Sequence, residues 1–185
     1  MYLGIWYQSS MTYGYMYDYI KPDISAIPAD SRMTGAILSY YSPYSAAGLT
    51  AELHEVTSSW TSSTVSWGNR PSINDDIVDY GNFNMQSRLN FDITKTVKKW
   101  LDGTDNNGIM IKPADITVQT LPQTPPRDNT YYNMAFIYSA EYTTYEACIP
   151  YLAITYVSQT GIEDKWSMHN VASEQHQRQG GQHNI

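Results

Sequence analysis

Hydrophobic and polar residues alternate along much of this chain, and a period of two predicts β-strands rather than helices. The clearest alternation covers residues 13–20, where one face carries four tyrosines, Tyr13, Tyr15, Tyr17 and Tyr19. Ile20 and Ile24 have the opposite parity and are expected to face the core. The tyrosines are therefore predicted to form a row on the outward face of one strand.

Apolar or alternating runs predict further strands over residues 2–7, 36–41, 49–56, 64–67, 88–93, 109–112, 132–138 and 151–157. Turn signals recur about every ten to fifteen residues, a spacing typical of sandwiches and barrels. Residues 72–86 are predicted to be a long loop or an irregular edge, and the proline-rich residues 113–128 a loop. We expect an all-β fold, a jelly-roll-like β-sandwich of about eight to ten antiparallel strands.

One short helix is predicted at residues 95–101. Thr94 suits its N-cap, and Gly103 suits a left-handed cap at its end. Val97, Trp100 and Leu101 are expected on its inner side. Phe91, on the preceding strand, shares a face with other apolar residues and is also expected in the core.

The stretch from residue 60 to 71 contains two of the five tryptophans, Trp60 and Trp67, and closes on the turn signal Gly-Asn-Arg-Pro. Its alternating middle predicts a strand, so both tryptophans are expected in the core, and ligand contact is the alternative. Asn69 is expected to serve the turn that ends at Pro71. If Trp67 is buried, Trp67→Ala should cost roughly 3–5 kcal/mol and unfold the protein.

The composition is rich in tyrosine, with 17 Tyr against 3 Phe, and only 16% of the residues are charged, which suits strands. A net charge of −7 without a basic stripe argues against a nucleic-acid partner. No window approaches the roughly 20 apolar residues of a membrane span, and residues 1–7 lack the features of a signal peptide. Cys148 is the single cysteine, so no disulfide framework is expected.

The composition changes after residue 157. We predict a β-sandwich domain over residues 1–157 and a polar, mobile linker over residues 158–185, since the latter part is rich in Gln, His, Gly and Asn.

Four aspartates are candidates for a structural calcium site, because hard carboxylate oxygens are the ligands that Ca²⁺ prefers. They are Asp75, Asp76, Asp102 and Asp105. Neither stretch matches the EF-hand pattern, and solvated turns are the alternative. No other cofactor is expected.

Asp92 and Glu141 are isolated acids beside apolar residues, and no catalytic residue is predicted, although a glycosidase would need two carboxylates converging across a cleft. Their predicted roles are structural: Asp92 would accept hydrogen bonds at the start of the helix at Thr94, and Glu141 would pair with an arginine or a backbone donor. No nucleophile-elbow, phosphate-loop, dinucleotide or zinc-protease motif is present.

Several separated segments together resemble one known family. They are Tyr-Ile-Lys-Pro-Asp-Ile from residue 19, Ala-Ile-Leu-Ser-Tyr-Tyr from residue 36, Val-Thr-Ser-Ser-Trp from residue 56, Val-Ser-Trp-Gly-Asn-Arg-Pro from residue 65, Phe-Asp-Ile-Thr from residue 91 with Trp100, Asn-Asn-Gly-Ile-Met-Ile-Lys from residue 106, Tyr-Ser-Ala-Glu-Tyr from residue 138 and Pro-Tyr-Leu from residue 150. In order and spacing they resemble the DNRLRE domain over roughly residues 12–157. That domain is a β-sandwich of bacterial and archaeal surface proteins that has been grouped with carbohydrate-binding modules.

The resemblance implies a framework role for Trp60, Trp67 and the other motif residues. This chain departs from the family where Tyr17 replaces a basic residue, Pro22 an aromatic one and Ile149 an arginine. Residues 161–167 look like the segment that follows this domain in wall-associated proteins with Rhs/YD repeats. Such proteins are exported, so the resemblance implies an extracellular or cell-wall location and neighbouring domains.

Three functions are compatible with these observations. The first is a non-catalytic module that binds polysaccharide or cell-wall glycan through the tyrosine row, since sugar rings stack on aromatic faces and phenol groups meet sugar hydroxyls. The second is a purely structural spacer of a large Rhs-type protein, with the tyrosine face covered. The third is a polysaccharide-degrading enzyme, which would need a cleft with converging acids.

Overall fold

The computed structural model describes residues 2–8, 12–28, 31–45, 49–114, 131–138, 146–157, 164–170 and 181–184. Nearly all regular structure in these residues is β. The strands are β1 Tyr2–Gln8, β2 Thr12–Met16, β3 Asp18–Ile20, β4 Arg32–Ser42, β5 Tyr44–Ser45, β6 Leu49–Val56, β7 Ile73–Phe83, β8 Ser87–Asp92, β9 Ile109–Pro113, β10 Tyr131–Phe136, β11 Tyr151–Val157, β12 Asp164–Asn170 and β13 Gly181–Asn184. One α-helix, α1 Thr94–Leu101, lies between β8 and β9.

The strands form three antiparallel sheets. Sheet A has the order β13-β2-β1-β10-β5, sheet B the order β3-β9-β6-β7, and sheet C the order β12-β11-β4-β8. Every strand pair is antiparallel. The predicted all-β sandwich is confirmed, although the described strands outnumber the eight to ten expected.

One hydrophobic core joins the three sheets. Leu3 of sheet A, Leu53 of sheet B and Leu38 of sheet C all belong to it and are fully buried. On β11, alternate residues from Leu152 to Tyr156 face this core while their neighbours are half-buried. The period of two in the sequence thus corresponds to the inward and outward faces of real strands.

Tyr40 lies in this core with no exposed surface, and its hydroxyl has no hydrogen-bond partner within the described residues. Its ring meets Phe91 edge to face at 6.4 Å between centroids. Burial, together with the nearby Asp18, raises the pKa of Tyr40 well above its usual value.

The helix α1 follows the prediction with two exceptions. Thr94 is its first helical residue rather than its N-cap, a position that Ile93 takes without a side-chain cap. Val97 and Trp100 pack into the core as expected, and Phe91 on β8 joins them there. Leu101, however, is 39% exposed, and Thr96 takes the third inward position. Gly103 adopts φ +101° just after the helix, where its N–H donates to the carbonyl of Trp100.

The predicted strand at residues 64–67 is wrong. The chain there makes a turn and then a short 3₁₀ helix, Trp67–Asn69. The Asn69 side chain accepts hydrogen bonds from the backbone and hydroxyl of Ser66 and donates to the Thr64 carbonyl at 2.8 Å. These local bonds close the turn, and none of the described strands pairs with it, so the alternation is not that of a strand.

Residues 72–86, predicted to be a loop or an irregular edge, contain the strand β7 at the edge of sheet B. The edge assignment is confirmed, but the loop is wrong. Pairing with β6 from Leu49 to Val56 imposes the strand on a polar sequence. Edge strands tolerate charged residues because one side of each is open to water.

The division at residue 157 stays a prediction. Two segments of the predicted linker form strands, since β12 pairs with β11 and β13 pairs with β2. Of the predicted loop at residues 113–128, Pro113 is instead the last residue of β9, and residues 115–128 lie outside the described residues.

The turn before β9 depends on Gly108. This residue has φ +87°, and a Cβ added there would meet the carbonyl oxygen of Ile20. The Asn106 side chain supports the turn by accepting from the Gly108 N–H at 3.0 Å and donating to the Pro22 carbonyl at 2.8 Å. The Gly108 carbonyl in turn accepts from the Val56 N–H at 3.0 Å.

Gly108→Ala should therefore destabilise the fold by about 2–3 kcal/mol, because it adds backbone strain and a clash with Ile20. Gly103→Ala is the matched control: it has a positive φ but nothing within 4 Å of the added Cβ, so about 1 kcal/mol is expected. Urea unfolding measures both. Equal losses in the two variants would contradict the role of the Ile20 contact.

Candidate functional site

The outer face of sheet B is covered by the segment between β6 and β7, called loop 57–72 from here on. Its ends are held together by the Thr57 N–H, which donates to the Ser72 carbonyl at 2.8 Å, and by the Ser72 N–H, which donates to the Ser58 hydroxyl at 2.8 Å. Val65 is buried within the loop. The loop is therefore an ordered part of the fold.

Beneath this loop lies a second apolar cluster, formed by Tyr19, Val56 and Met110. Trp60 packs on it, with its ring centroid 5.6 Å from that of Tyr19. The Trp60 indole N–H donates to the Asn107 carbonyl at 2.8 Å, which fixes the ring's position. Trp60 thus contributes to structure as predicted, but on this outer cluster and only half-buried.

Tyr19 does not belong to an outward row. Only 3% of it is exposed, and its hydroxyl has no hydrogen-bond partner within the described residues. Burial raises the pKa of Tyr19 to about 12, against a smaller opposing effect of the nearby Arg70. The prediction that Tyr19 faces a ligand is therefore not supported by its position.

The row bends because the chain changes sheets at Tyr17, between β2 of sheet A and β3 of sheet B. Tyr13 and Tyr15 lie on β2, and the Tyr13 side chain lies outside the described part of the structure. Tyr15 and Tyr17 are half-buried, with ring centroids 6.4 Å apart. Neither residue is fully covered: Tyr15 belongs to β2 of sheet A, and Tyr17 lies between β2 and the edge strand β3 of sheet B.

Trp67 continues this line of rings. Its centroid lies 5.4 Å from that of Tyr17, and the two rings are tilted by 45°. On the Trp67 ring lies the guanidinium of Arg70, 4.6 Å from the centroid, and Arg70 also donates to the Trp67 carbonyl at 2.9 Å. We call Tyr15, Tyr17, Trp60 and Trp67 the aromatic surface; all four are half-buried.

The prediction that Trp67 is a core residue is wrong. It belongs to neither buried cluster, and its contacts are with Tyr17 and the exposed Arg70. The local bonds of Asn69 and the buried Pro71 hold the backbone on which it stands. Its framework role is thus limited to the surface of the domain.

A groove of about 660 Å³ opens at the other edge of sheet B, between β7 and α1. One wall carries Asp76, Ile77 and Asp79 of β7, and the other carries Lys95, Lys98 and Lys99 of α1. Glu55, at the end of β6, pairs with Lys99 at 2.8 Å. The volume lies in the range of small-ligand sites, about 300–1,000 Å³.

Asp92 also lines this groove and has the structural role predicted for it. Its carboxylate accepts from the Thr94 N–H at 2.9 Å, at the start of α1. Hydrogen bonds from the Thr94 side chain and backbone lower the pKa of Asp92. Its own N–H donates to the Asp79 carboxylate at 2.7 Å, which ties β8 to β7. Glu141, the other isolated acid with a predicted structural role, lies outside the described residues.

Residues 4–121 match carbohydrate-binding module family 96, which is more than half of the chain. The chain belongs to this family. All residues of the aromatic surface and of the groove walls fall within the matched range. No curated protein matches the chain.

The four calcium candidates of this family 96 module are not brought into a cation site. Asp75 and Asp76 lie on the strand β7 rather than in a loop, while Asp102 and Asp105 follow α1. Among the described residues, no group of three or more His, Cys, Asp or Glu side chains is arranged to hold a metal ion. Structural calcium stays a prediction.

Within the described part of the module, no helix has the length and apolarity required to cross a bilayer. Cys148, the free cysteine, is half-buried and is the last residue of a further 3₁₀ helix, Glu146–Cys148.

Sequence reasoning missed Arg70, Ile77, Lys95 and Lys98. Arg70 lies in the recognised Gly-Asn-Arg-Pro turn, so its position beside an aromatic residue was the one available signal. The groove residues gave none, because they come from separate elements that only the sheet pairing brings together.

Trp67→Ala in this module should fold and lose only about 1–2 kcal/mol, the value of an aromatic and a cation–π contact at a half-exposed site. Trp100→Ala should lose about 3–5 kcal/mol, because it empties a core position. Urea unfolding followed by far-UV circular dichroism measures both. A larger loss for Trp67→Ala than for Trp100→Ala would contradict this placement.

Stability should fall at alkaline pH, because burial raises the pKa of both Tyr19 and Tyr40. The protonated phenols of these two tyrosines are compatible with the folded state below about pH 10, the pKa of tyrosine in the unfolded chain. This contribution to the free energy of unfolding is lost as pH rises toward about 12 and beyond. The Tyr19→Phe, Tyr40→Phe double variant should keep more of its pH 8 urea midpoint at pH 11 than the wild type.

The control for this pH series is Tyr80→Phe, which changes a tyrosine that is 69% exposed and should follow the wild type. An identical alkaline decline in the double variant and in this control would show that other groups cause the loss.

Proposed function

We propose that this chain is a non-catalytic module that binds polysaccharide or cell-wall glycan through its aromatic surface. The observation that carries the proposal is the line of accessible rings from Tyr15 through Tyr17 to Trp67, within a carbohydrate-binding module. Sugar rings present flat C–H faces, which stack on aromatic rings. Phenol hydroxyls beside them can donate to or accept from sugar hydroxyls.

The rigidity of the surface supports this proposal. Trp60 is fixed by its hydrogen bond to Asn107, and Trp67 is held between Tyr17 and Arg70. Rings that are already ordered lose little conformational entropy when a ligand binds. Arg70, with one described hydrogen bond, to Trp67, has further N–H groups for sugar oxygens.

The proposal that the module is non-catalytic is supported by the chemistry of the groove. A glycosidase acid needs a raised pKa so that it is protonated when it meets the leaving group. The pKa of Asp92 is lowered instead, and its carboxylate is engaged by Thr94. Glu55 is paired with Lys99.

The wider context of the proposal rests on the sequence resemblance to the DNRLRE domain and to the segment that follows it in Rhs/YD-repeat proteins. We propose that the module belongs to an exported bacterial surface protein and holds that protein on a glycan. Neighbouring domains would then follow the linker predicted after residue 157.

The test is polysaccharide binding by affinity gel electrophoresis with immobilised neutral and acidic polysaccharides. The wild type should be retarded by at least one polysaccharide, and Tyr15→Ala, Tyr17→Ala should weaken the binding about tenfold or more, because two stacking contacts are lost. Tyr44→Ala and Tyr80→Ala, at exposed tyrosines outside the aromatic surface, should bind as the wild type does.

Full binding by the double variant would remove the tyrosines from the site. If Tyr80→Ala weakened polysaccharide binding as much as the double variant does, the site would lie on β7 instead. No retardation of the wild type by any polysaccharide would favour the alternative of a structural spacer. Far-UV circular dichroism of each variant shows whether a loss reflects unfolding.

A further inference from the structure

The groove between β7 and α1 lies at the opposite edge of sheet B from the aromatic surface. β3, next to the aromatic surface, and β7, which forms a groove wall, are the two outermost strands in the order β3-β9-β6-β7. Three strand spacings separate them, about 14 Å. The groove is therefore separate from the aromatic surface.

Its walls are fixed by contacts among their own residues. The Asp79 carboxylate accepts from the Asp92 N–H at 2.7 Å, and the Lys99 ammonium donates to Glu55 at 2.8 Å. The Thr94 hydroxyl accepts from the Ala36 N–H at 2.9 Å, which ties the start of α1 to β4. The groove is thus shaped before any ligand arrives.

Other groups of the groove are left over after these contacts. In the described part of the chain, Lys95 and Lys98 help to lower the pKa of Asp92, but neither lies within 4 Å of a carboxylate oxygen, and the Asp76 carboxylate accepts no hydrogen bond. Ile77 is 49% exposed between them and supplies an apolar contact. Free acceptors and free donors therefore face one space beside an apolar side chain.

The charges of the groove nearly balance. Four carboxylates, of Glu55, Asp76, Asp79 and Asp92, stand against three ammonium groups, of Lys95, Lys98 and Lys99. A polyanion would be repelled by the aspartates, and a polycation would be repelled by the lysines, so either charge lowers the affinity of a ligand for the groove. Hydroxyl groups match both signs, because each hydroxyl donates to a carboxylate and accepts from an ammonium group.

We infer that this groove is a second carbohydrate-binding site, which holds a short, neutral, hydroxyl-rich stretch of a glycan by hydrogen bonds to Asp76, Lys95 and Lys98. This inference rests on the proposed glycan-binding function. The two sites differ in chemistry: the aromatic surface stacks on sugar faces, and the groove forms hydrogen bonds with sugar hydroxyl groups. A module with both sites contacts two sugar segments at once and gains avidity on a polymer.

The experiment is a ¹H–¹⁵N NMR titration of the full chain with neutral hexasaccharides of β-1,4-glucose, β-1,4-xylose, β-1,4-mannose and β-1,3-glucose. At least one should shift amide signals of residues 74–79 and 94–99. Asp76→Ala, Lys98→Ala should raise the Kd measured from those signals about tenfold or more, because two charge-assisted hydrogen bonds are lost. Ile77→Trp should abolish the groove shifts by filling the space.

Two controls accompany the titration. Asp105→Ala removes an exposed acid outside the groove and should leave the Kd unchanged. Tyr15→Ala, Tyr17→Ala should leave the groove shifts with the hexasaccharides in place, while it removes shifts at the aromatic surface.

The outcomes separate this inference from the proposed function. Shifts at the aromatic surface alone, with every hexasaccharide, overturn the groove site and leave the proposed function standing. Groove shifts with oligogalacturonate or chitosan oligomers but with no neutral sugar overturn the neutral ligand class. Groove shifts that vanish in the Asp76→Ala, Lys98→Ala variant but persist in Asp105→Ala support the inference.

Discussion

Sheet B has apolar side chains on both faces, and covering them is the constraint on which the rest of the structure depends. Ile109 and Ile111 face the main core, while Met110 between them joins Tyr19 on the opposite face. Left open, that second face would be an apolar patch of the kind that promotes association. Loop 57–72 covers it with Trp60 and in doing so carries Trp67 to the margin. Part of the aromatic surface is thus formed by loop 57–72, which the fold requires in any case to cover the outer apolar face of sheet B.

Strand alternation predicted most of the fold correctly, since the buried faces of β6, β8 and β11 are continuous apolar series. Alternation also predicted the orientation of Ile20 toward the core. It could not predict the change of sheets at Tyr17, because β2 pairs with β1 and β13 whereas β3 pairs with β9, which lies far away in the chain. That change leaves Tyr15 accessible and puts Tyr19 beneath Trp60.

Two segments were misassigned for opposite reasons. Thr64 and Val65 belong to an alternating run, but Asn69 closes a local turn there. None of the described strands pairs with this run. Asp75 and Asp76 look like loop residues, but they lie on an edge strand that β6 holds in place. The groove depends on this second segment, so no reading of local pattern could have assembled it. In each case a contact that the alternation does not encode decides the structure: the Asn69 hydrogen bonds in the first segment and pairing with β6 in the second.

The hydrogen bond from Trp60 to the Asn107 carbonyl joins residues 47 positions apart. The turn that holds this carbonyl rests on Gly108 against Ile20, so it needs β3 in place as well as β9. Contacts of such long sequence separation form slowly, because the intervening chain must first be ordered. The Trp60 contact therefore needs β3, β9 and loop 57–72 in place together, and we expect it to form only after β9 has paired. The aromatic surface is thus assembled by contacts between residues far apart in sequence, so the glycan binding proposed for it requires the whole domain to be folded.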